Sequence, residues 1–180
     1  MGMIDLPKLD PREEHFRIPS PLAGLKLFLR RLPAEEPGSG LSPVLYAHGG
    51  TFASALSIAH RFDGRSWRDE LSAAGFDSWG LDFHGFGGLS DPYPEMGEPA
   101  ENHPPLGRAE AASRQLEEAV RFICSHLGLP RLSIIAHSWA QSSPGDLPAA
   151  VPSWWTGWCS SAPSCSGRGR PNPSVCRPGV

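Results

Sequence analysis

Basic runs are scarce in this 180-residue chain, where 16 Lys and Arg stand against 19 Asp and Glu for a net charge of −3. That balance argues against a nucleic-acid footprint or an anionic membrane surface as partner. Long apolar runs are missing too, so no segment is expected to span a bilayer. Met1 to Leu6 carries Asp5 and no apolar h-region, which gives no sign of a signal peptide and leads to the expectation of a cytoplasmic protein. Cysteine is limited to Cys124, Cys159, Cys165 and Cys176. Cys124 falls in a helical apolar pattern and reads as a free buried thiol, and the other three fit neither zinc-ligand spacing nor a C-x-x-C pair, so no metal is expected. Histidine disappears after His137, and Asp146 is the last acid of the sequence.

Two types of order are present before residue 140. His15–Ile18 and Leu25–Leu32 alternate about the turn at 21–24 and read as a hairpin, followed by a polar loop over Pro33–Ser42. Beyond it, short continuous apolar runs predict buried strands at Pro43–Ala47, Phe76–Asp82 and Leu132–Ala136. Between them the spacing predicts helices over Trp67–Ala74, stopped by Gly75, and over Arg108–Leu127, ended by Gly128 and Pro130. Ser90–Pro105 reads as a solvated loop. Strands alternating with helices imply an α/β fold whose sheet is covered on both faces. No G-x-G-x-x-G or Walker loop follows the first parallel strand, and no cofactor is expected.

Three motifs each follow a predicted strand. Ala136-His137-Ser138-Trp139-Ala140 approximates the G-x-S-x-G elbow, with small alanines where strand and helix must pass closely. His48-Gly49-Gly50-Thr51 is a glycine turn, and Asp82-Phe83-His84-Gly85-Phe86-Gly87-Gly88-Leu89-Ser90-Asp91 is a second. In this order they make residues 16–139 resemble the N-terminal part of an α/β-hydrolase of the serine-nucleophile type. The resemblance implies Ser138 as nucleophile and an oxyanion hole built from the Gly50 and Trp139 N–H groups, with His48 and Gly49 supporting the loop. Asp82, His84 and Asp91 are assigned to structuring their loop. A serine rather than an aspartate at the elbow favours acyl transfer over dehalogenation, and the implied partner of an intact relative is a small acyl substrate.

The same resemblance requires an acid and then a histidine after the serine, and the sequence supplies no such histidine. From Ala140 to Val180 the composition changes to Trp, Pro, Ser, Cys, Arg and Gly, and no strand or helix is expected there. One permissible coding of Pro152–Cys159, read one base earlier, gives Pro-Glu-Leu-Val-Asp-Arg-Leu-Val, a plausible hydrolase continuation. The expected organisation is therefore an incomplete α/β-hydrolase sheet over 1–139 and an irregular tail over 140–180, produced by a frame change near Ala140 or by splicing. Turnover is expected to be little or none. The alternative is a non-catalytic fragment or interaction protein, with an open edge on the last strand and uncovered apolar surface.

Overall fold

The structure is a computed structural model, and it describes residues 8–36, 43–141 and 155–160. The alternating segments at the start form β1 (Glu14–Pro19) and β2 (Lys26–Leu32), paired antiparallel from Glu14 opposite Arg31 to Pro19 opposite Lys26. The apolar runs form β3 (Val44–Ala47), β4 (Ser78–Asp82) and β5 (Leu132–Ala136). Strand order is β1-β2-β4-β3-β5-β6, where β6 is Trp155–Ser160. β2 joins β4 antiparallel, and the pairs β4–β3, β3–β5 and β5–β6 are parallel. An antiparallel hairpin thus feeds a parallel sheet.

Strand β6 overturns one expectation, since the tail contributes a strand where none was foreseen. Its pairing with β5 slips between Leu132 and Ile134, an irregular register. The physical reason is the row of N–H and C=O groups on the outer edge of β5, which accepts any extended segment whatever its side-chain period. The edge of β5 is therefore occupied rather than open. The remainder of the tail, including Asp146, Cys165 and Cys176, lies outside the described residues, as does part of the 33–42 loop.

Among the described residues two α-helices cover the sheet. α1 (Trp67–Ala73) begins with a reciprocal capping box in which the Ser66 side chain accepts from the Asp69 N–H and Asp69 accepts from the Ser66 N–H. α2 (Ala109–Leu127) presents Ala112, Leu116, Ala119, Val120 and Ile123 as one buried stripe, and Gly128 closes it in the left-handed conformation at φ +66°. That stripe packs on Leu27, Leu29, Leu45, Trp79, Leu81 and Ile134, one face of the sheet, and forms the apolar core. The opposite face, beneath α1, buries charged groups among apolar ones such as Phe28, Leu32 and Ile58. Arg30, Ser54, Arg68 and Glu13 are all buried there.

Candidate active site

The turn after β5 is strained at one residue. Ser138 has φ +53°, and among the described residues the other non-glycine residue with positive φ is Asp63 at +54°, within the tight Phe62–Arg65 hairpin turn beside Gly64. Aspartate in such a turn is ordinary. A serine held left-handed between a strand and a 3-10 turn (Ser138–Gln141) costs about 1–3 kcal/mol and points to function. Ala136 and Ala140 are both fully buried, which meets the size demand that the motif places on them. His137 and Ser138 are exposed, and Trp139 is half-buried with its ring 5.4 Å from that of Phe83.

The glycine turn after β3 lies directly against this elbow. The His137 N–H donates to the Ala47 carbonyl at 3.0 Å, so the two strand ends are fastened where both loops begin. A Cβ on Gly49 would sit 3.0 Å from His137 Nδ1 and 3.1 Å from Ser138 Cβ, and one on Gly50 would sit 3.9 Å from Trp139 Cβ. A side chain at 49 would press on His137 and Ser138, which would have to give by a few tenths of an ångström. The structure brings Gly49, Gly50, Ser138 and Trp139 together.

His48 is fully buried beneath the turn. Its Nδ1 lies 2.5 Å from the Gly49 carbonyl oxygen, and its Nε2 accepts the Phe83 N–H at 3.1 Å. A carbonyl can only accept, so Nδ1 carries the proton and Nε2 does not. Burial depresses the imidazole pKa and keeps the ring neutral, opposed by the Gly49 bond and the nearby Asp82 charge. Both nitrogens are occupied, so His48 has no capacity left for general-base work. Because the peptide is planar and trans, turning the Gly49 C=O toward His48 turns the Gly50 N–H the opposite way.

The second glycine-rich loop is tied to its surroundings by its own polar side chains. Asp82 is fully buried and its Oδ1 accepts the Ser54 N–H at 2.7 Å. His84 reaches the Ser20 hydroxyl through Nε2 at 2.7 Å and the Asp91 carbonyl through Nδ1 at 2.5 Å, and burial lowers its pKa. Asp91 accepts from Arg17 and from the Lys26 N–H, tying the loop to the hairpin. Beyond it, 90–105 carries 3-10 turns at Pro94–Gly97 and Ala100–Asn102. Among the described residues no group of three or more His, Cys, Asp or Glu could hold a metal, and no helix is long and apolar enough to cross a membrane. Cys124 is a half-buried free thiol whose pKa is raised by burial.

Sequence reasoning missed the buried charges beneath α1. Glu13 Oε1 accepts from Arg30 at 2.6 Å and from Arg68 at 2.9 Å, with His15 Nε2 at 3.3 Å. Burial works to raise the Glu13 pKa, but His15, Arg68 and Arg30 overcome it and hold the carboxyl far below its ordinary range. The available signal was the Arg30-Arg31 doublet, because adjacent residues of a strand face opposite sides and a doubly covered sheet must bury one of them. A groove of about 520 Å³, lined by Leu22, Leu25, Tyr93, Leu106 and Arg108 among others, lies between the hairpin tip and the start of α2, away from Ser138.

Strand order, an N-terminal hairpin, parallel strands and a strained serine turn after the third of them together describe the α/β-hydrolase fold. No family model and no curated protein matches the chain. Solved structures do. An epoxide hydrolase from Vigna radiata, VrEH1, shares 18% identity at a TM-score of 0.59, over 91% of this chain and 43% of that one. The haloalkane dehalogenase DatA from Agrobacterium tumefaciens C58 shares 13% identity at 0.54, over 84% of this chain and 42% of that one. A predicted CIB-like hydrolase from Thermoplasma acidophilum shares 18% identity at 0.54, over 82% and 61% respectively. All three have the α/β-hydrolase fold, and the likeness gives this chain that fold in part, spanning less than two thirds of each relative's length.

Proposed function

We propose that the chain carries the nucleophile half of a serine hydrolase acting on an ester or related acyl bond. In this reading Ser138 is the nucleophile and the Gly50 and Trp139 N–H groups bind the oxyanion, with His48 and Gly49 as loop support. The observation that carries it is the positive φ of Ser138 beside the Gly49–Gly50 turn. Hydroxyl rather than carboxylate at the elbow favours acyl transfer over the chemistry named for the epoxide hydrolase and dehalogenase neighbours. We draw the boundary of the hydrolase-like segment at residue 139 and read 140–180, β6 included, as an unselected sequence joined to it. The substrate is a small acyl compound rather than a nucleic acid, and the location is cytoplasmic.

No histidine follows Ser138 in the sequence, and His48 cannot serve as base. The 180-residue chain by itself is therefore expected to turn over little or no ester, since only oxyanion stabilisation and binding remain when triad members are removed. Incubation with a fluorophosphonate probe tests this: labelling of Ser138 should stay far below one equivalent in hours. Rapid stoichiometric labelling would overturn the claim of inactivity while supporting the nucleophile. A non-catalytic, interaction-type reading draws on Phe52, Leu56, Phe62 and Trp67, exposed apolar residues along the β3–α1 connection. It predicts self-association or capture of a defined partner in place of labelling.

A further inference from the structure

His48 fixes the glycine turn where it leaves β3, and the buried face beneath α1 fixes it again four residues past Gly50. Ser54 is fully buried, its N–H donates to Asp82 Oδ1 at 2.7 Å, and its Oγ accepts from Arg30 Nε at 2.7 Å. Arg30 is itself immobilised by Glu13 Oε1, which the Arg68 guanidinium of α1 also engages, and Glu13 Oε2 accepts the Leu9 N–H at 2.7 Å. One string thus runs from α1 through Glu13, Arg30 and Ser54 to Asp82.

Two glycines clear the way for this string. A Cβ at Gly80 would lie 2.9 Å from Ser54 Cβ and 3.3 Å from Arg30 Cγ, so β4 is bare where the serine and arginine cross it. A Cβ at Gly87 would lie 2.7 Å from Asp82 Oδ2, an oxygen buried without a hydrogen-bond partner among the described residues. Asp82 therefore gives its good bond to Ser54. Between the two anchors, Thr51 and Phe52 are exposed, and exposed loop residues contribute little rigidity of their own.

We propose that Ser54 is a positioning residue for the Gly49–Gly50 turn, clamped by Asp82 and by the Glu13–Arg30 pair so that the Gly50 N–H keeps its aim beside Ser138. The inference rests on the reading of Ser138 as nucleophile and of the turn as its oxyanion loop. Ser54 acts through the loop and touches no reacting atom. Losing its hydroxyl leaves a buried Arg30 N–H unpaired, and the strain of re-pairing it falls on the segment that carries Gly50.

Two readouts on the full 180-residue chain test this. Amide hydrogen exchange compares Gly50 and Thr51 with core amides of α2 such as Leu116 and Val120. Phenylboronic acid, followed by 11B NMR, reports whether Ser138 with its N–H donors holds a tetrahedral adduct. Ser54→Ala should speed exchange at Gly50 and Thr51 about tenfold with the α2 amides unchanged, and weaken the boronate adduct about tenfold. Should Ser54→Ala not fold, Ser54→Cys keeps the volume, offers Arg30 a weak acceptor, and should move both readouts the same way by less. Unchanged exchange at Gly50, or a rise shared equally by α2, overturns the positioning role. An adduct equally tight in wild type and Ser54→Ala overturns it too while leaving the nucleophile reading standing. Local exchange changes with no adduct in the wild type support the clamp by themselves and accord with a Ser138 that lacks its base.

Discussion

Ser138 and Asp63 share nearly the same backbone φ for different reasons. Asp63 obtains it from a tight hairpin turn followed by glycine, whereas Ser138 obtains it from the strand behind it and the glycine turn beside it. Gly49 is where that second constraint is tightest. Gly49→Ala would place its methyl 3.0 Å from His137 Nδ1 and 3.1 Å from Ser138 Cβ, so the His137–Ser138 turn must give by a few tenths of an ångström. The expected loss is about 1–3 kcal/mol of stability in a denaturant titration, with changed amide shifts at His137–Trp139, and a variant as stable as wild type with unmoved shifts would contradict the packing. The motif around Ser138 was legible as residues, since small side chains flank a serine after an apolar run. The neutrality and tautomer of His48 were not, because they depend on its burial in the folded chain and on the Phe83 N–H arriving from the loop after β4.

At the level of elements, local signals carried far. α1 was readable from its pattern and from the glycine that stops it, and its start is fixed by the Ser66–Asp69 box. Burial alone would raise the Asp69 pKa, yet bonds from Arg61 and from Ser66 lower it from 3.8 to about 2. A folded-state pKa below the unfolded one means stability that is complete above about pH 4 and is lost as pH falls toward 2. Asp69→Asn should therefore cost about 1–2 kcal/mol at neutral pH and flatten the acid limb of a stability–pH curve between those values. An unaltered acid limb would show the carboxylate to be uninvolved. β6 was illegible for the opposite reason, because Trp155–Ser160 has strand-prone residues but no period or turn signals to mark a strand, and its pairing depends on the edge of β5.

Across the whole molecule the two faces of the sheet are stabilised by different physics. Apolar packing under α2 follows from periodicity, while the α1 face depends on charges that neutralise one another out of water. Glu13→Gln removes the anion shared by Arg30 and Arg68 and leaves two buried cations without it. Breaking a buried pair in this way costs about 3–5 kcal/mol, which thermal unfolding would register as a clear fall in Tm. A change within 0.5 kcal/mol, taken as roughly the range of ordinary surface substitutions, would place those charges in solvent instead.

The order and type of the elements from β1 to β5 were legible in the sequence, because strand and helix periods and glycine stops are written in neighbouring residues. Only the tertiary structure decided which charges are buried, which proton His48 carries, how closely Gly49 meets Ser138 and what lies on the edge of β5. Each of those depends on groups distant in the chain, and distance in the chain is erased only when the sheet forms.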